Sequence, residues 1–380
     1  MSGENNKNYP RFVILGLILL LAVLFLKKDY KKLDYLAYKT AYSAFIQDIN
    51  PYQTGQLLKL QKLEDPSLTE PMMVWNPPMY FSSFGLIFNT PEALTKYLWV
   101  LISIFCALAM LRLGFLYSGA KNPNNSWILI CGLTSVPLFL EIIIGQFSSW
   151  ICCMFVLGVY LLKTRYSLFA GFLMSLSLIK PHLFVFQYIV LLLYVFKKKD
   201  FIVVLGGLMG ILFFSGFSEI RYPDIHKLWI FREQWPHEVL GSTLPSLIRL
   251  ACIKFSWPDS KLIQILSFFC GIVVMGFYCF KHFNNLLLYP LLFSFCLNPL
   301  FSPYGFVFDQ IYILFVFGFI LGSESLKGAV QSGKAYDNIL RISIFHILVW
   351  LLSDKVYYYW FILPPLATLF FLYNFRKTAC

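Results

Sequence analysis

Five short polar constellations interrupt an otherwise apolar chain, and each carries a side chain able to bind an anion or move a proton. Asp34, in Leu-Asp-Tyr-Leu-Ala-Tyr, opens an amphipathic stretch. Its carboxylate could serve as a general base that takes a proton from an acceptor hydroxyl. Equally, it could be a first-turn acid that complements a helix dipole. Asp29 and Asp48 are weaker candidates for the same task. Glu141 lies in an apolar run just ahead of the uncharged turn Gly145-Gln146-Phe147-Ser148-Ser149. An acid there is functional, or pairs with a lysine for packing, or snorkels. Lys180-Pro181-His182 separates two apolar runs, so Lys180 could hold a phosphate as a point charge or simply snorkel. Tyr304 and Asp309 follow Ser302-Pro303, and Asp309 is the clearest carboxylate inside an apolar run; lining a polar cavity suits it better than facing lipid. Arg221, His226, Arg232, His237 and Arg249 could clamp a phosphate or phosphodiester, or could be ordinary charges of a solvated loop.

These residues must be positioned by membrane helices. Of the 380 residues, 58% are hydrophobic and 13% charged, and the mean hydropathy is +0.68. Soluble domains carry roughly 25% charge, so disorder, a disulfide scaffold and an ordinary cytosolic enzyme are excluded. The net charge of +12 is scattered through short loops, which suits orientation in a bilayer and not a nucleic-acid surface. Of the nine cysteines seven lie inside apolar runs, and none is spaced C-x-x-C, so neither a disulfide framework nor a zinc site is indicated. Walker, H-E-x-x-H and G-x-S-x-G motifs are absent.

The fold expected is an all-α polytopic membrane protein, a single integral-membrane domain over residues 1–380. Thirteen apolar runs are candidates to cross: 10–26, 72–88, 97–117, 127–144, 147–162, 166–180, 183–196, 201–217, 262–280, 284–300, 304–321, 339–352 and 356–373. Lysines and arginines mark alternate turns from residue 112 onward, which places both termini in the cytoplasm and requires an even number of crossings. The run at 72–88, broken by Trp75-Asn76-Pro77-Pro78, is expected to be re-entrant or interfacial, which leaves about 12 crossings. Two structured loops, 27–71 and 218–261, then face outward. In the first, a helix from Leu33 to Gln47, a break at Asn50-Pro51 and a second helix to about Leu63 are expected. Lys27, Lys28, Lys31 and Lys32 breach the charge rule on that outer side: either the orientation is the reverse, or these lysines have another task at the membrane surface.

Taken in order, DYLAYKTAYSAFIQDINPY (34–52), WNPPMYFSSFGLIF (75–88), EIIIGQFSSW (141–150), AGFLMSLSLIKPHLF (170–184) and SPYGFVFD (302–309) resemble family 87 of the GT-C class of integral-membrane glycosyltransferases. That family includes polyprenyl-phosphate-mannose-dependent mannosyltransferases. The resemblance implies transfer of mannose or another hexose from a polyprenyl-phosphate donor to a hydroxyl of a lipid-linked or envelope-glycan acceptor. It places the reaction outside a bacterial plasma membrane, with membrane lipids as the other partner. It further implies an inverting displacement with Asp34 as base, and an outer cavity lined by Gly145-Gln146 and Lys180-Pro181. Glu141, His182, Tyr304, Asp309, Arg232 and His237 complete the set of candidate substrate contacts. No resident cofactor is implied, and a divalent metal is compatible with the scheme. The chain departs from the family in having Asn76-Pro77-Pro78 for the usual Tyr-Pro-Pro, and Phe308-Asp309 where relatives carry histidines after Ser-Pro. A competing expectation is a non-catalytic flippase of lipid-linked sugars, which would need the cavity and cations but no base.

Overall fold

The computed structural model describes residues 33–121, 125–233, 243–255, 260–302, 305–327, 339, 341–342 and 365–368. Every regular element among them is helical. The runs at 10–26, 339–352 and 356–373 fall outside the described residues apart from isolated positions, as do Lys27, Lys28, Lys31 and Lys32.

In the first loop, α1 spans Leu33–Ile46 and α2 spans Thr54–Glu64. Between them Asn50 Oδ1 accepts the Tyr52 N–H at 2.9 Å, an Asx turn of the kind that halts a helix. The run at 72–88 is not one helix. The consecutive prolines 77 and 78 admit helical backbone only beyond them, so a short α3 (Met79–Ser83) is followed by a 3-10 turn over Gly85–Asn89.

Next come α4 (Glu92–Tyr117), α5 (Asn125–Leu133) and α6 (Val136–Ile144). The single run read at 127–144 is therefore two helices, because Pro137 starts a new first turn and Thr134-Ser135 take the break. Beyond the Gly145 turn lie α7 (Ser148–Lys163) and α8 (Ser167–Ser175), the latter tightening into a 3-10 turn that ends at Lys180-Pro181. The remaining helices are α9 (Val185–Lys198), α10 (Ile202–Arg221), α11 (Ile225–Ile230), α12 (Leu244–Lys254), α13 (Ser260–Lys281), α14 (Tyr289–Phe301) and α15 (Ile313–Lys327). A 3-10 turn at Val307–Tyr312 leads into α15.

Among the described residues two helices, Glu92–Tyr117 and Ile202–Arg221, are long and apolar enough to cross a bilayer alone, and four shorter apolar helices accompany them. The outward face of α10 exposes Leu205, Leu208, Leu212, Phe213 and Phe217, and that of α13 exposes Ile265, Phe269, Val273, Phe277 and Phe280. Soluble monomers rarely expose contiguous apolar surface on this scale.

Two pairs of helices, α4 with α15 and α8 with α10, carry the tightest packing. Their backbones meet at glycine. A Cβ on Gly206 would lie 2.0 Å from the Leu168 carbonyl oxygen, and one on Gly318 would lie 2.0 Å from that of Leu111. Gly206 and Gly210 are four residues apart on α10, the small-xxx-small spacing that lets apolar helices approach where hydrophobic burial cannot drive them together. We expect Gly206→Leu to force the α8–α10 pair apart and cost about 3 kcal/mol. A lowered melting temperature in detergent, against an unchanged value for Gly216→Leu in open space, is the check.

Candidate functional site

Asp34 is the second residue of α1, so the helix dipole favours a carboxylate there. Aromatic packing decides where that carboxylate is held. Tyr35 meets the edge of Trp99 at 5.5 Å between ring centroids, and Tyr38 meets the edge of Phe147 at 4.7 Å. These contacts press α1 onto the turn between α6 and α7. Gly145 makes the approach feasible. Its φ is +84°, and a Cβ there would sit 2.3 Å from the Tyr35 Cβ. Trp99 Nε1 then donates to the Gln146 carbonyl at 2.9 Å, which fixes the backbone of the next residue.

The side chains converge from this turn. Gln146 Nε2 donates to Asp34 Oδ2 at 2.5 Å, while its Oε1 accepts from Tyr38 Oη at 2.9 Å and from Lys180 Nζ at 2.7 Å. Lys180 also donates to Ser148 Oγ at 2.8 Å and Asp309 Oδ1 at 3.2 Å. Ser148 Oγ donates onward to the same Asp309 oxygen at 2.7 Å. The second oxygen, Asp309 Oδ2, accepts the Phe306 N–H at 3.1 Å. Lys180 and Asp309 are both buried, so each charge depends on the other and on these hydrogen bonds.

Asp34 differs from Asp309 in being half-buried, with α1 presenting it at the edge of the cluster. Burial raises its carboxyl above the ordinary aspartate range; the Gln146 hydrogen bond and the Lys180 charge pull it partly back, and Asp309 opposes them. His182 Nε2 stands 4.0 Å from Asp309 Oδ2, and burial lowers the imidazole below its usual range despite that neighbour, which keeps it neutral at pH 7. The His182 carbonyl accepts from Asn298 Nδ2 at 3.2 Å and Ser302 Oγ at 3.3 Å, tying the Lys-Pro-His turn to the end of α14.

Other candidates are placed differently. Glu141, fully buried, accepts the Ser149 N–H at 3.0 and 2.9 Å and the Ser149 hydroxyl at 2.5 Å. It thus closes the first turn of α7, a partner that neither the lysine pairing nor the snorkelling expectation supplied. Arg232 stacks over Trp229 at 5.0 Å and donates to its carbonyl at 2.7 Å, in a patch where Trp229 Nε1 reaches the Trp75 carbonyl at 3.0 Å. Arg221 pairs with Asp48 at 2.7 Å, and His226 Nδ1 meets Glu219 at 2.6 Å. Tyr304 and His237 lie outside the described residues. Among the described residues, no three His, Cys, Asp or Glu side chains are grouped to hold a metal ion.

Ser148, Tyr38 and Trp99 belong to this cluster without having been singled out in the sequence. Tyr38 carried a usable signal, because it lies one turn after Asp34 at i+4 and so shares its helix face. Trp99, in the middle of a long apolar helix, carried none.

Residues 75–241 match the family model described as glycosyltransferase family 87. Over that segment the chain is similar to family 87, and it is a glycosyltransferase. The matched segment is less than half of the 380 residues; it contains Gln146, Lys180, His182 and Arg232, and it leaves out Asp34 and Asp309. No curated protein and no solved structure matches the chain. In this glycosyltransferase the Lys180–Asp309 pair therefore joins an element inside the family match to one beyond it. Removing one partner of a buried pair strands the other charge, so Asp309→Asn is expected to cost about 3–5 kcal/mol. Melting temperatures should show the single variant well below the parent and Asp309→Asn/Lys180→Met recovering part of the loss.

Proposed function

We propose that this family 87-like enzyme moves mannose or another hexose from a polyprenyl-phosphate donor to a hydroxyl of a lipid-linked or envelope-glycan acceptor. The reading places the reaction on the non-cytoplasmic face of a bacterial plasma membrane, in a chain that crosses about 12 times with both termini inside. The loops at 27–71 and 218–261 form the outer face in this scheme.

One observation carries the chemistry: a half-buried carboxylate, Asp34, with one oxygen fixed by a 2.5 Å bond from Gln146 beside a buried cation. A sugar on a lipid phosphate already bears a leaving group, so the protein has to align an acceptor hydroxyl and take its proton. Asp34 accepts that proton through its unfixed oxygen. The acceptor oxygen bonds to the anomeric carbon as the bond from that carbon to the phosphate oxygen breaks. The electron pair leaves on polyprenyl phosphate, and the anomeric configuration inverts. Positioning and base catalysis together account for the acceleration in this scheme, the proton transfer contributing about 10²–10⁴-fold.

Asp34→Asn is expected to cut transfer at least about a hundredfold while donor binding persists. Incubating the purified variant and parent with a panel of polyprenyl-phosphate sugars, with products read by mass, tests this. A flippase of lipid-linked sugars would keep its activity in the same variant.

The base must be ionised, and burial raises its carboxyl. Activity should therefore fall with acid at a pH above the ordinary aspartate range, and be regained as pH rises. Because the Gln146 hydrogen bond lowers the Asp34 value, Gln146→Leu should move the midpoint of that acid limb upward. A pH–rate profile of kcat/KM for both proteins measures it, and an unmoved or lowered midpoint contradicts the assignment.

A further inference from the structure

The cluster contains a cation that donates to three oxygens inside the protein. An ammonium has three hydrogens and no acceptor capacity. Those of Lys180 meet Gln146 Oε1 at 2.7 Å, Ser148 Oγ at 2.8 Å and Asp309 Oδ1 at 3.2 Å, with the residue only 5% exposed. Its charge is balanced within the protein by Asp309, and Phe147 packs beside it at 5.5 Å. A lysine built to hold a lipid phosphate would present an unengaged N–H to the outside.

What Lys180 does determine is the direction of an amide. Glutamine's oxygen and nitrogen ends are nearly equal in size, so the hydrogen-bond partners decide which way the group points. Tyr38 Oη can donate or accept and fits either orientation. Lys180 can only donate. It therefore requires Oε1 on its own side, and Nε2 is left facing Asp34 Oδ2 at 2.5 Å. With the amide reversed, an oxygen would face the carboxylate and repel it. Asp309 and Ser148 act one step further back by holding the ammonium in place.

We infer that Lys180 is a positioning residue for Asp34, acting through the amide of Gln146, and not the cation that grips the donor phosphate. The inference rests on the assignment of Asp34 as base. It assigns phosphate recognition to other groups and makes the Lys-Pro turn part of the proton-accepting machinery.

The test separates binding from chemistry. Four full-length proteins are compared: parent, Lys180→Met, Gln146→Leu and the double variant. Each is assayed for equilibrium binding of polyprenyl phosphate, and for kcat and donor KM with polyprenyl-phosphate mannose. A positioning role predicts polyprenyl-phosphate affinity within about threefold of the parent in every variant, a kcat at least about tenfold lower in each single variant, and a double variant no slower than the slower single. A tenfold or greater loss of polyprenyl-phosphate affinity in Lys180→Met, or multiplying losses of kcat in the double variant, overturns the inference. Should Lys180→Met misfold because Asp309 is stranded, Lys180→Met/Asp309→Asn replaces it, and Gln146→Leu probes the same link with the ion pair intact. An active Asp34→Asn enzyme would instead defeat the base assignment, an outcome distinct from any of these.

Discussion

The arrangement around Asp34 depends on one ammonium group placed where water cannot stabilise it. Burying Lys180 is tolerable because Asp309 lies 3.2 Å away and two neutral oxygens accept from it. The requirement runs outward through the structure. Asp309 has to be delivered by the turn after α14, Gln146 and Ser148 by the turn between α6 and α7, and Lys180 by the end of the α8 segment. Moving any of these three by an ångström would leave a charge or a buried donor without its partner. The ion pair is thus a constraint on the fold as well as a feature of the site.

Helix packing meets that constraint with small residues. Gly145 lets α1 lie against the α6–α7 turn, and glycines on α10 and α15 let those helices lie against α8 and α4. The aromatic side chains around Trp99, Phe147 and Tyr38 fill the space between and exclude water from the back of the cluster. Asp34 stays at the rim, half-buried, with one oxygen committed to Gln146. Such an environment keeps a carboxylate basic without stranding it, which is what general-base catalysis asks of the group. The family match supports a glycosyltransferase, and the donor and acceptor proposed here are the chemistry this local arrangement suits.

Among the described residues, the helical character was readable from the long apolar runs. The break at Asn50-Pro51 and the turn at Lys180-Pro181 were visible as proline punctuation. The split of 127–144 into α5 and α6 was not, since Thr134 and Ser135 scarcely interrupt the hydropathy of the run. Asp34, Gln146, Lys180 and Asp309 stood out singly as polar residues at the ends of apolar runs. Their convergence could not be read from spacing, because the contacts join positions 112 and 129 residues apart. Glu141 shows a different limit. Its partners are the backbone N–H and hydroxyl of Ser149, and the free N–H groups of a helix start are not marked by any residue type. Ser148 was overlooked for a related reason: a serine in an apolar helix start looks like a cap until the third dimension brings a lysine and an aspartate to it.

In the proposed mechanism Asp34 drives a single displacement at the anomeric carbon. The most direct measurement is the anomeric configuration of the product sugar, determined by proton NMR coupling and compared with that of the donor. Inversion, complete and in every turnover, is the predicted result. A product that retains the donor's configuration would require a second displacement on an enzyme nucleophile, and would contradict a mechanism in which Asp34 only removes a proton.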